Sequence, residues 1–211
     1  MRLSASCAAL VALAMVCLSL SARAQVSSGE PVNRLREALG VGTQDSLLIE
    51  TDSAPELFPG VRVVRGQWDD HGASTYVRSA AVVATAHGLE VVTGPSDLTR
   101  LGKLGSPFND ARKLSTVTSF EVLLRLTGLL QPADSIVTDP TAISPRELKW
   151  LTPGSAVTKI RPPSTTRSGT AVVHTFFVYG RGMLSRVRAR ADKHGPSLTW
   201  EPVARFALTG L

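Results

Sequence analysis

Residues 171–208 read AVVHTFFVYGRGMLSRVRARADKHGPSLTWEPVARFAL, and this stretch decides the fold class. Ala171 to Tyr179 is apolar and rich in β-branched and aromatic residues, which suit a pleated surface. Gly180-Arg181-Gly182 breaks the run, Met183 to Ala191 resumes it, and His194-Gly195-Pro196 breaks it again before Leu198 to Leu208. Strand-like runs separated by short glycine-containing turns predict antiparallel hairpins, here a three-stranded meander.

Upstream of the meander, Ala156 to Ile160 reads as a strand, and Arg161 to Gly169 as a mobile polar loop. Before them the pattern is helical. Ser144-Pro145-Arg146-Glu147 is a capping box with proline at the first helical position, opening a short helix to Leu151. Ser115 to Leu130 carries Val117, Phe120, Leu124 and Thr127 on one face and Leu123 and Leu130 beside them. A helix apolar over most of its circumference belongs in the core. Glu121 and Arg125 add an i,i+4 pair in the favourable order. Pro95 to Leu104 has Leu98, Leu101 and Leu104 at three-residue spacing and ends near Gly105.

The N-terminal third alternates short strands and turns. Pro31 to Leu39 reads as a helix with Val32, Leu35 and Leu39 as its apolar stripe and Gly40 as its stop. Ser46–Glu50, Val61–Trp68, Thr75–Ala86 and Leu89–Val92 read as strands, with His87-Gly88 as a two-residue turn before the last. Ala80-Ala81-Val82-Val83-Ala84 has no polar face, so that strand should be buried on both sides. Strands, then helices, then strands again indicate an α+β fold: an antiparallel sheet with a C-terminal three-stranded meander, packed by a central helical segment. No linker interrupts residues 25–211, which read as one domain. In element order alone, a helix leading into a curved antiparallel sheet, the chain is similar to the cystatin-like and NTF2-like architectures; no motif is shared and no function transfers.

The chain is 43% hydrophobic and 19% charged, which excludes the disordered, collagen-like and coiled-coil classes. Its first 24 residues read as an export signal: Arg2, then the uncharged run Cys7–Leu20, then Ala22-Arg23-Ala24 as the cleavage pattern. The run is shorter than the roughly 20 apolar residues of a membrane-spanning helix. Both cysteines, Cys7 and Cys17, lie within it, so the mature chain would have no thiol and no disulfide. The expected location is periplasmic or extracellular, and arginine used far more than lysine fits a GC-rich bacterial source.

Charge is segregated along the chain. Residues 25–156 hold twelve Lys+Arg against fifteen Asp+Glu, whereas residues 157–211 hold nine against only Asp192 and Glu201. Arg186, Arg188 and Arg190 alternate with Val187, Ala189 and Ala191, which sets the arginines on one face of a strand at about 7 Å intervals. Forked guanidinium donors in a row suit phosphate or carboxylate. Arg181 in the adjoining turn and Arg205 on the next strand are expected to widen the patch.

Three of the four histidines precede glycine: His71-Gly72, His87-Gly88 and His194-Gly195. Glycine supplies positive φ and the neighbouring Asp bonds turn amides, so these strings read as hairpin turns rather than ligands. No metal motif, nucleotide-binding glycine loop or Gly-x-Ser-x-Gly elbow is present, and no metal or cofactor is implied. These features point first to an exported, non-enzymatic binding or accessory domain whose basic sheet face meets an anionic envelope component or an acidic protein. Export disfavours nucleic acid as partner. Two alternatives follow from other residues: a secreted hydrolase using His174, which lies inside a predicted strand, and a structural subunit docking through helix 115–130.

Overall fold

The computed structural model describes residues 29–69, 77–149, 151–180 and 182–206. The expected export signal (1–24), His71, Tyr76, Trp150, Arg181 and Leu208 lie outside those residues. The fold is α+β, with two antiparallel sheets rather than one. The first is a meander of β1 (Leu48–Asp52), β2 (Arg62–Asp69), β3 (Val77–Thr85) and β4 (Gly88–Val92). The second has six strands: β5 (Ser135–Val137), β6 (Leu151–Thr152), β7 (Ser164–Ser168), β8 (Ala171–Gly180), β9 (Met183–Asp192) and β10 (Gly195–Phe206). Its main path runs β5-β8-β9-β10-β6, and β7 joins β8 beside β5, so two short strands share one edge of β8.

Helix α1 (Glu30–Leu39) buries Val32, Leu35 and Leu39, and Gly40 ends it with φ 67°. That apolar stripe packs on Val64, Ala80 and Val82, one face of the small sheet. The opposite face of β3, Ala81 and Val83, enters the main core. The expected double burial of this strand is what the structure has, and it follows from pleat alternation.

The main core joins the inner faces of both sheets through the helical middle. A 3-10 helix (Pro95–Leu104) contributes Leu98, Leu101 and Leu104, and α2 (Val117–Leu126) contributes Phe120, Leu123 and Leu124. Phe176, Val178, Val187, Ala189 and Ala191 complete it from the large sheet. The three-residue spacing of the leucines fits 3-10 geometry, in which i and i+3 eclipse. Helix α2 is shorter than the expected 115–130: Thr116 caps its start by accepting the Ser119 N–H, and Gly128 at φ 71° turns the chain out.

Three segments differ from their sequence reading: the helix expected to reach Leu151 ends at Leu148, and Leu151 pairs with β10 as the start of β6. Residues Gly154–Lys159 form a 3-10 helix, not a strand, because Val157 and Ile160 at i,i+3 both point into one cluster on the outer face of the large sheet. The expected loop at 161–169 contains β7, fully exposed yet paired with β8 from Ser164↔Thr175 to Ser168↔Ala171. A polar edge strand carries no hydrophobic signature, only backbone hydrogen bonds. The short α3 (Pro145–Leu148) has the expected capping box on Ser144 and Glu147.

The helical layer and the large sheet meet backbone to backbone. A Cβ on Gly102 would lie 2.0 Å from the His194 carbonyl oxygen, and one on Gly195 would lie 2.7 Å from Gly102 Cα. Gly102→Ala and Gly195→Ala are each expected to destabilise the protein by about 3 kcal/mol or more, lowering Tm by roughly 6–12 °C. Gly94→Ala, with nothing within 4 Å of its would-be Cβ, should shift Tm little. Calorimetry on the three variants checks this.

Candidate functional site

Strand β9 alternates by burial from Arg186 to Ala191, with the arginines outward and Val187, Ala189 and Ala191 inward. Its neighbours are fixed by register: Thr175↔Arg188↔Thr199, Phe177↔Arg186↔Glu201 and Val173↔Arg190↔Ser197. One end of this outer face is apolar and covered. There Phe177, Leu184 and Ala204 pack under Val137, Ile143, Leu151, Val157 and Ile160. The other end, carrying the arginines, is open.

The three arginines are not equivalent. Arg186 donates through Nε and Nη2 to Glu201 Oε2, the former at 3.1 Å, with both side chains about half exposed. Arg190 Nε donates to Asp192 Oδ2 at 2.9 Å. Partial burial pushes the Asp192 carboxyl up, but the His194 N–H and the Arg190 guanidinium outweigh it and hold the group below its ordinary range. Arg188 is exposed and has no carboxylate partner among the described residues. It lines an open concavity of about 390 Å³ with Thr166, Thr175, Thr199, Arg186 and Glu201. Free guanidinium donors beside three hydroxyls can bind an oxyanion carried on a hydroxylated scaffold.

Arg205 does not join this face. A bulge between Pro202 and Ala204 sets Ala204 opposite Leu184 and Arg205 opposite Met183, so Arg205 projects from the side of the sheet away from Arg186, Arg188 and Arg190. Arg181 lies outside the described residues. The threonines were invisible to the sequence reading because only cross-strand register brings Thr166, Thr175 and Thr199 to Arg188.

His174 is fully buried on the inner face. Its Nε2 lies 2.8 Å from the Leu114 carbonyl oxygen and its Nδ1 2.8 Å from Thr165 Oγ1, while the ring stands edge-on to Phe120 at 5.7 Å. A carbonyl can only accept, so Nε2 carries a proton and donates it to Leu114, while Nδ1 is hydrogen-bonded to the Thr165 hydroxyl. Both nitrogens are engaged, neither with a carboxylate among the described residues, and the arrangement ties three segments together. Helix α2 likewise commits Phe120, Leu123, Leu124 and Leu126 to burial, leaving no apolar stripe open for docking. The turns at His87 and His194 are built alike: Thr85 Oγ1 accepts the His87 N–H and Asp192 Oδ1 the His194 N–H. Both are two-residue turns that start one position earlier than expected, Ala86-His87 in place of His87-Gly88 and Lys193-His194 in place of His194-Gly195-Pro196, with Gly88 and Gly195 as positive-φ strand residues. Among the described residues no three His, Cys, Asp or Glu converge as metal ligands, and no helix is long and apolar enough to cross a membrane.

No protein-family model, curated protein or solved structure matches this chain.

Two outcomes follow from this geometry. His174→Leu should cost about 2–4 kcal/mol in denaturant unfolding, because it strands the buried Leu114 carbonyl; Thr165→Ala should cost about 1 kcal/mol. Tyr179 Oη donates to Glu147 Oε1 at 3.0 Å, holding α3 against the covered end of the outer face. Burial, and then the Glu147 carboxylate, push the Tyr179 hydroxyl from 10.0 to about 12. The folded chain therefore keeps this proton over a range where the unfolded chain loses it, so stability present below pH 10 declines as pH rises toward 12. Tyr179→Phe should remove that part of the alkaline decline, read as the difference between the two unfolding curves against pH.

Proposed function

We propose that this protein is an exported, non-enzymatic binding or accessory module that engages an acidic glycan of the cell envelope through the outer face of its six-stranded sheet. The observation that carries this reading is Arg188: exposed, without a carboxylate partner, and set between Thr175 and Thr199 in an open concavity. Threonine hydroxyls match sugar hydroxyls, and the guanidinium fork matches a carboxylate or sulfate on the same chain. Glu201 neutralises Arg186 and limits the charge of the surface, which favours a specific anion over indiscriminate attraction. The N-terminal pattern of Arg2, Cys7–Leu20 and Ala22-Arg23-Ala24 supports placement outside the cytoplasm.

Binding to immobilised polygalacturonate, dextran sulfate and neutral dextran, with phosphatidylglycerol vesicles alongside, tests the reading. Arg188→Glu is expected to weaken binding to the charged glycans about tenfold or more, consistent with loss of a charge-assisted hydrogen-bond pair. Glu201→Gln, which releases Arg186, should strengthen it. Unchanged glycan binding in Arg188→Glu, or binding to vesicles but not to glycans, overturns the assignment.

A further inference from the structure

A second basic site lies on another part of the large sheet, and its residues come from three separate elements. Arg112 sits in the turn before α2, Arg167 on β7, and Lys193 in the β9–β10 turn. All three line one pocket of about 350 Å³, together with Asn109, Asp110 and Ser115. None of the three cations has an ion-pair partner among the described residues. With one carboxylate against them, the pocket carries a formal charge of two positive units.

The backbone that carries each cation is held by its own contacts. The Arg112 N–H donates to Asp110 Oδ1 at 2.9 Å, and two residues on, Leu114 is fully buried with its carbonyl bonded to His174. Arg167 opposes Val172 in the β7–β8 hairpin, which puts it on the inner-face side, whereas Thr166 opposes Val173 on the outer face. Lys193 is fixed by the Asp192–His194 turn bond and by the Gly102–Gly195 contact behind it. Three like charges brought together on separately held backbone segments, with none neutralised by an ion pair among the described residues, cost stability until an anion enters.

We infer that this pocket binds a small hydroxylated molecule through a tetrahedral oxyanion, a phosphate or sulfate monoester. Two net positive charges match the dianion of a phosphate monoester and exceed the single charge of a sulfate monoester, and lysine and arginine side chains are the usual donors to both. The volume is at the lower end of small-molecule sites, about 300 Å³ and upward, and exceeds what a bare inorganic anion fills. Asn109, Ser115 and the Asp110 carboxylate supply partners for hydroxyl groups on the remainder. This inference does not rest on the outer-face reading, since the two sites share no residue.

Calorimetric titration at low ionic strength with glucose 6-phosphate, glucose 6-sulfate, inorganic phosphate, inorganic sulfate and glucose tests it. At least one ester is expected to bind more tightly than its inorganic anion, glucose should not bind, and the preferred ester identifies the anion. Lys193→Gln, Arg167→Gln and Arg112→Gln should each weaken that ester about tenfold and reduce the Tm increase that it gives the wild-type chain. Lys193→Gln changes only an exposed turn side chain, so it decides the matter if either arginine variant fails to fold. Arg188→Glu should leave ester binding unchanged. The inference is overturned if neither ester binds, if an inorganic anion binds as well as its ester, or if affinity survives in the folded variants. Ester binding lost in Arg188→Glu but kept in the pocket variants overturns it too, while leaving the outer-face reading standing.

Discussion

The contact between Gly102 and Gly195 leaves no room for a side chain on either residue, and much of the molecule is positioned by it. Leucines on the 3-10 helix supply part of the apolar burial that draws the two sheets together, but burial is non-directional and tolerates sliding. Backbone against backbone does not. The steric fit sets where the β9–β10 turn rests on the helical layer. From there the ladder between β9 and β10 propagates a fixed register to the exposed arginines. The chemistry of the surface is therefore anchored at the opposite, inward side of the same hairpin.

His174 supplies the directional counterpart at the other edge of the core. Its two ring nitrogens bond one residue on β7 and one in the turn before α2, so a single buried side chain on β8 holds three segments in fixed relation. A buried polar group left unbonded is costly, so alternative packings that separate Leu114 from β8 are penalised. Strand β7 has no buried side chain of its own, and this bond together with the β8 ladder is what keeps an otherwise polar edge in place.

What could be read from the sequence follows from which signals are local. Val32, Leu35, Leu39 and Gly40 mark α1 because stripe and stop lie within one helix. The β9 alternation is equally local and gives the outward direction of Arg186, Arg188 and Arg190 correctly. Where the reading failed, the deciding partner was distant. Ser164–Ser168 is a strand because β8 offers a free edge, which no residue in that run records. Val157 and Ile160 suit a strand or a 3-10 turn equally, and the cluster under Leu184 chooses. Arg205 changes sides through a bulge beside Pro202, and the threonines around Arg188 exist as a group only after pairing. Gly102 was the one long-range clue present in plain view, since a glycine inside a helical pattern often marks a close approach.

Folding could have cancelled the charge segregation of the chain by laying the acidic part over the basic part. It does not. Carboxylates of the N-terminal part pair with cations of that same part: Glu50 and Asp52 with Arg65, Asp97 with Arg100, Glu90 with Lys103, Glu121 with Arg125. Asp192 and Glu201, the sole acids after residue 156, go to Arg190 and Arg186. After residue 156 that accounting leaves Lys159, Arg161, Arg167, Arg188, Lys193 and Arg205 without a carboxylate among the described residues, and Arg188 on one side and Arg167 and Lys193 on the other line the two pockets. Exposed ion pairs contribute little to stability, so the pairing pattern is better understood by what it leaves open than by what it holds together. The neutralised Arg186 and Arg190 frame Arg188 on the outer face, and Arg167 and Lys193 stand apart from them in the second pocket. Such an arrangement selects for anions of matching geometry, because only those recover the hydrogen bonds that water gives up.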